Sequence, residues 1–195
     1  IWPNSSGVQH VISFNYNSST AMQYAGNLGG GTHYIQIPNA WKSQLLIGHT
    51  STVTVYCDTY DGSKLIGGVS ATLNIRNPDG GPTLSLPGGT HNIGSNFSFT
   101  VDNCKSYLRY TVWYNSNKNS SWIEICNNAA FGDGSKSLSF TIPNSFKNGV
   151  GNQDTDTMNI CVCAYQNGTY VAEKYGTATI KNNDIANGPG VRVSL

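Results

Sequence analysis

The chain has 195 residues and a formal net charge of +1, and only 11% of its residues are charged. With no run of Lys or Arg, that balance excludes an electrostatic grip on a nucleic-acid backbone. No stretch is apolar for long enough to make a transmembrane helix, and Val, Ile, Leu and aromatic residues are plentiful enough to exclude a disordered chain.

In chain order, the predicted elements are strands. Alternation and turn residues place them in the first half at 8–16, 21–25, 33–37, 52–60 and 64–75. The glycine run "GNLGGGTH" at 26–33 is a loop with no helix after it, so it is not a phosphate cradle. "IPNAWKSQ" at 37–44 ends a strand at Pro38, which donates no ladder hydrogen bond, and Asn39 suits the N-cap of a single helical turn carrying Trp41. "YDGS" then joins two strands as a hairpin, as "YQNGT" at 165–169 does in the second half, since Asp-Gly and Asn-Gly tolerate positive φ. Residues 76–94 hold three of the seven prolines and five glycines, which is linker chemistry. Beyond them strands are expected at 83–86, 96–102, 107–114, 121–126, 137–142, 157–165 and 169–180. The ending "NGPGVRVSL" reads as a linker running into a new strand, as in a fragment of a longer chain.

The chain repeats itself. "IPNAWKSQ" at 37–44 recurs as "IPNSFKNG" at 142–149, a shift of 105 residues (142 − 37). At the same shift Val53 meets Met158, Val55 meets Ile160, Tyr60 meets Tyr165 and Ile75 meets Ile180. An ungapped match of about forty residues, in apolar phase and in turn position, means two copies of one fold. The expected organisation is therefore all-β, with two tandem β-sandwiches at 1–80 and 81–182 and a tail at 183–195. Alternation turns Val53, Val55 and Cys57 inward, and Met158, Ile160 and Val162 in the second copy, leaving Cys161 and Cys163 on the outward face. Trp41 and Phe146 occupy the same place in the two turns. Because either aromatic serves there, both read as plugs closing the end of a sandwich core rather than as ligand-binding rings.

The stretch "IP-x-x-W", a gap, and then "TVTVYCDTYDGSKLIG" resembles a repeated immunoglobulin-like module. That module belongs to minor structural, tail-fibre and host-specificity proteins of long-tailed phages infecting Gram-positive bacteria. Ile37, Pro38, Trp41, Thr52, Val53, Thr54, Cys57, Thr59, Tyr60, Gly62, Ile66 and Gly67 carry the resemblance. The resemblance makes the two tandem β-sandwiches immunoglobulin-like. It implies virion assembly and host contact without catalysis, and packing with other virion proteins and copies of itself. It also fits reduced cysteines in a protein assembled in cytoplasm.

No nucleophile elbow, zinc-protease helix, P-loop or dinucleotide fingerprint occurs. The five cysteines include no C-x-x-C pair and read as free thiols, with one bridge such as Cys104–Cys126 left open. Asp154 and Asp156 form a D-x-D that reads as a solvated loop rather than a calcium site. No cofactor and no metal are expected. The second copy carries extra aromatics: alternation separates Tyr110, Val112 and Tyr114 from Tyr107, Thr111 and Trp113, one set filling the core. Tyr107, Trp113 and Trp122 are the candidates for a face that docks a partner or stacks on sugars. The expected function is a non-catalytic structural or adhesive component of a phage tail or fibre, in contact with host-wall carbohydrate. The alternatives are a bacterial cell-surface adhesin and a carbohydrate-binding module of a larger protein. Neither nucleic acid nor membrane is expected as a partner.

Overall fold

The structure is a computed structural model that describes residues 8–16, 23–28 and 32–185, with backbone alone for 23–28. The described residues form twelve strands and two short 3-10 turns. Among them no helix is long and apolar enough to cross a membrane. The chain divides into two compact units, Ile1–Asp79 and Gly80–Leu195.

Unit 1 holds β1 (Val8–Asn15), β2 (Gln23–Leu28), β3 (Thr50–Asp61) and β4 (Lys64–Arg76) in one antiparallel sheet of order β2-β1-β3-β4. Gly62, at φ +57°, closes the β3–β4 hairpin. Directly opposed residues share a face, so Phe14, Val55 and Ala71 lie on one side with Val53 and Leu73. That side packs a small core of Phe14, Trp41 and Val53, joined by Tyr16, Ile35, Ile37, Val55 and Ile75. Coverage thins along the sheet: on β4, Val69 and Leu73 remain 51% and 43% exposed.

Unit 2 has two sheets. One is three-stranded, of order β10-β7-β5, from β5 (Thr83–Ser85), β7 (Asn96–Cys104) and β10 (Gly134–Thr141). The other is five-stranded, of order β6-β12-β11-β8-β9, from β6 (Thr90–Asn92), β8 (Leu108–Ser116), β9 (Asn119–Ala129), β11 (Thr155–Gln166) and β12 (Thr169–Lys181). Asn167 and Gly168, both at positive φ, close the β11–β12 hairpin. Between the sheets lie Tyr110, Val112, Tyr114, Met158, Ile160, Val162 and Ile180, all buried, with Phe97, Phe99 and Phe140 supplying the aromatic contacts of the smaller sheet. This is a β-sandwich core. β11 and β12 stand to unit 2 as β3 and β4 stand to unit 1.

Two local expectations need correction, one strand was not foreseen, and one open question about the cysteines is answered. Residues 33–37 form no strand, although Ile35 and Ile37 do pack on the unit 1 core. The corresponding strand of unit 2, β10, hydrogen-bonds to β7, and unit 1 has no such partner among its described residues. A lone extended segment without a ladder partner is not a strand. Strand β6, which pairs in parallel with β12, was not expected: its three residues are too few to show alternation. Each 3-10 turn, Asn39–Ser43 and Asn144–Gly149, is entered from Pro38 or Pro143, and no side chain caps it. The asparagines are therefore first residues of the turn and not caps. Cys104 and Cys126 are not bridged; all five cysteines are free thiols. The expected C-terminal tail lies outside the described residues beyond Ile185, as does part of the glycine run.

Candidate functional site

Trp41 and Phe146 are both buried. Trp41 sits 5.8 Å from Phe14 edge-on and 6.0 Å from Tyr16, and Phe146 sits 6.1 Å from Tyr114. A depression of about 170 Å³ opens beside Trp41, between Ile37, Pro38, Leu45, Ile75 and Pro78. Its lining is mostly the apolar seam where the turn meets the sheet.

The richer chemistry is on the outer face of the five-stranded sheet of unit 2. With Tyr110, Val112 and Tyr114 turned inward, Thr111 and Trp113 of β8 turn outward. On the neighbouring β11, Cys161 opposes Trp113 and Cys163 opposes Thr111. On β12, Tyr175 opposes Cys161 and Glu173 opposes Cys163. Edge strand β9 adds Trp122, 46% exposed. Although two strands separate β9 from β12, the rings of Trp122 and Tyr175 come within 6.5 Å. They lean together over the strands between them, which is why two cysteines on an outward face are buried.

Trp113, Trp122, Cys161, Cys163 and Tyr175 line one depression of about 280 Å³. A second, of about 260 Å³, is lined by Thr111, Trp113, Asn127, Asn128, Tyr165 and Gly168. Trp113 lines both, so the two depressions adjoin across it, an aromatic half and a polar half of one grooved face. In the polar half the Thr111 hydroxyl donates to Asn127 Oδ1 at 3.1 Å and accepts from the Asn128 backbone N–H at 3.3 Å. Asn128 holds φ at +49°, in the left-handed region that asparagine tolerates. Tyr165 meets Tyr170 edge-on at 5.9 Å.

The structure thus brings Trp113 and Trp122 together. Tyr107, in the turn before β8, lines neither depression. Sequence reasoning missed Tyr175, Tyr165, Asn127 and Asn128. The alternation of 169–180 could have put Tyr175 on the outward face, but not opposite Cys161.

Electrostatics in the groove floor favour a neutral Cys163 thiol. Burial first, then the neighbouring Cys161 and Glu173, push the Cys163 thiol up to about 12. Cys161 and Glu173 push the Tyr175 hydroxyl up to about 12. Among the described residues, the group of three or more His, Cys, Asp or Glu side chains able to hold one ion is Cys161, Cys163 and Glu173. Asp154 and Asp156 belong to no such group; the Asp156 carboxylate instead accepts from the Lys118 backbone N–H at 3.1 Å. The groove offers aromatic faces, amides and a hydroxyl, which suit stacking and hydrogen bonding.

Neither a protein-family model nor a curated protein matches the chain. Among solved structures, an adhesin of enterotoxigenic E. coli, the CfaE mutant G168D, is similar over 91% of this chain and 74% of its own. The identity is 8% and the TM-score 0.29, too low for fold or function to be carried from one to the other.

Proposed function

We propose that this chain is a non-catalytic structural and adhesive segment of a phage virion, from a tail or fibre, whose unit 2 groove holds carbohydrate of the host surface. The observation that carries the adhesive part is the meeting of Trp113, Trp122 and Tyr175 beside Asn127, Asn128 and Thr111 in one open groove. Pyranose rings present C–H faces that stack on indole and phenol rings, while their hydroxyls pair with amides and hydroxyls. The groove is shallow and formed on a sheet by rigid side chains, so a sugar meets a surface already organised for it.

The virion part is supported by the repeated module and by the residues Ile37 to Gly67 that resemble phage tail modules. Homo-oligomerisation belongs to the same proposal, since most assemblies of like chains close by symmetry.

Binding of the intact chain to an array of Gram-positive wall glycans tests the groove. Trp113→Ala and Trp122→Ala are each expected to lower affinity at least about ten-fold, as loss of a stacking ring worth roughly 1.4 kcal/mol would do. Wild-type binding that survives both substitutions overturns the carbohydrate reading. The gene is expected to lie among tape-measure, portal and lysin genes, and a neighbourhood of wall-anchored surface proteins overturns the virion reading.

A further inference from the structure

We propose that Cys161, Cys163 and Glu173 form a binding site for a thiophilic divalent cation, zinc being the natural occupant, in the floor of the unit 2 groove. The three donor atoms lie within 4.8 Å of one another. They come from two adjacent strands whose pairing fixes their spacing: Cys161 and Cys163 alternate on β11, and Glu173 lies directly across from Cys163 on β12. The two sulfurs are 3.7 Å apart. Two thiolates bound to zinc at about 2.3 Å with a tetrahedral angle lie about 3.8 Å apart, so the thiols already stand at the separation the ion requires. Closing the carboxylate onto the same ion asks only for a side-chain rotation of exposed Glu173.

The surroundings suit such a site. Trp113, Trp122 and Tyr175 wall the thiols from bulk water, and Tyr175 donates to Glu173 Oε2 at 3.3 Å. That hydrogen bond orients a ligating carboxylate from outside, as the partners of metal ligands commonly do. Three protein ligands leave a fourth position facing the groove, where water binds. Binding forms two metal–sulfur bonds and releases the two thiol protons to solvent, with no change of oxidation state. The ion ties β11 to β12 on the outer face and stiffens the floor under Trp113 and Tyr175.

The test is a titration of the intact, reduced, metal-free protein with cobalt(II), whose thiolate charge-transfer band in the near ultraviolet reports sulfur ligation. One equivalent is expected to produce the band, and zinc to abolish it by displacement. Cys161→Ser and Cys163→Ser should each lose the band, and Glu173→Gln should weaken binding about ten-fold with the band retained. Cys57→Ser, Cys104→Ser and Cys126→Ser should leave it unchanged. Far-ultraviolet circular dichroism confirms that the variants fold. No band with the wild-type protein, or a band that survives in the Cys161→Ser/Cys163→Ser double variant, overturns the proposal. No glycan enters the titration, so its outcome is independent of carbohydrate binding.

Discussion

At the scale of single residues, the two copies share a polar device that no apolar pattern reveals. Asn77 and Asn182, separated by the same 105 residues (182 − 77), are both buried. The Asn77 amide donates to the Leu45 and Lys42 carbonyls at 2.8 and 3.2 Å, and its Oδ1 accepts from the Asp79 backbone N–H. Asn182 repeats this, donating to the Val150 carbonyl at 2.9 Å and accepting from the Asp184 backbone N–H. Beside each runs an ion pair, Lys42–Asp79 at 3.1 Å and Lys147–Asp184 at 2.8 Å. Each asparagine locks the segment after the 3-10 turn to the end of the last strand. Asn182→Ala leaves a buried carbonyl unpaired, and chemical denaturation should show about 1–3 kcal/mol lost. Breaking the neighbouring pair with Asp184→Asn should cost under about 1 kcal/mol, because water already screens that half-exposed carboxylate.

At the scale of elements, the aromatic turn shows what the repeat could and could not predict. Alternation and the shared "IPN" located both turns, and their equivalence made bulk, not indole chemistry, the common requirement. Trp41→Ala removes the largest member of the small unit 1 core, and the cost should be about 3–5 kcal/mol. Trp41→Phe should cost much less, since Phe146 serves in the same turn of unit 2; thermal melts of the two variants test the difference. The strand expected at 33–37 failed for a non-local reason. Its residues have strand propensity, and its inward isoleucines pack, but a strand exists only where another offers a ladder. The same limit hid β6, which is a strand only because β12 lies alongside it.

At the scale of the whole molecule, the repeat accounts for two units, yet the units differ in what covers their sheets. Met158, Ile160 and Val162 of unit 2 are fully buried beneath the three-stranded sheet, while Val55 and Cys57, their counterparts after Val53 in unit 1, are only half-buried. The common sheet is therefore the constant part of the module, and the second layer is where the copies depart. Among the described residues, the groove is built from unit 2. β3 of unit 1 carries Tyr56 and Asp58 at the positions that Cys161 and Cys163 hold in β11. The proposed function attaches to what the repeat does not share.

By itself the sequence determined the all-β class, the duplication, both hairpins, the inward and outward faces of β11, and the division of β8 into two faces, though not which of those two is buried. These are local properties: side chains alternate with a period of two, and Asp-Gly or Asn-Gly turns direct the chain back on itself. Only the tertiary structure decided which outward residues meet. Trp113, Trp122, Cys161 and Tyr175 come from four strands, and their proximity depends on the order β12-β11-β8-β9 and on the pairing register. Strand order is set by contacts between distant segments, and alternation along one strand carries no record of its neighbours. The same order covers two outward cysteines with aromatic rings and sets their sulfurs 3.7 Å apart.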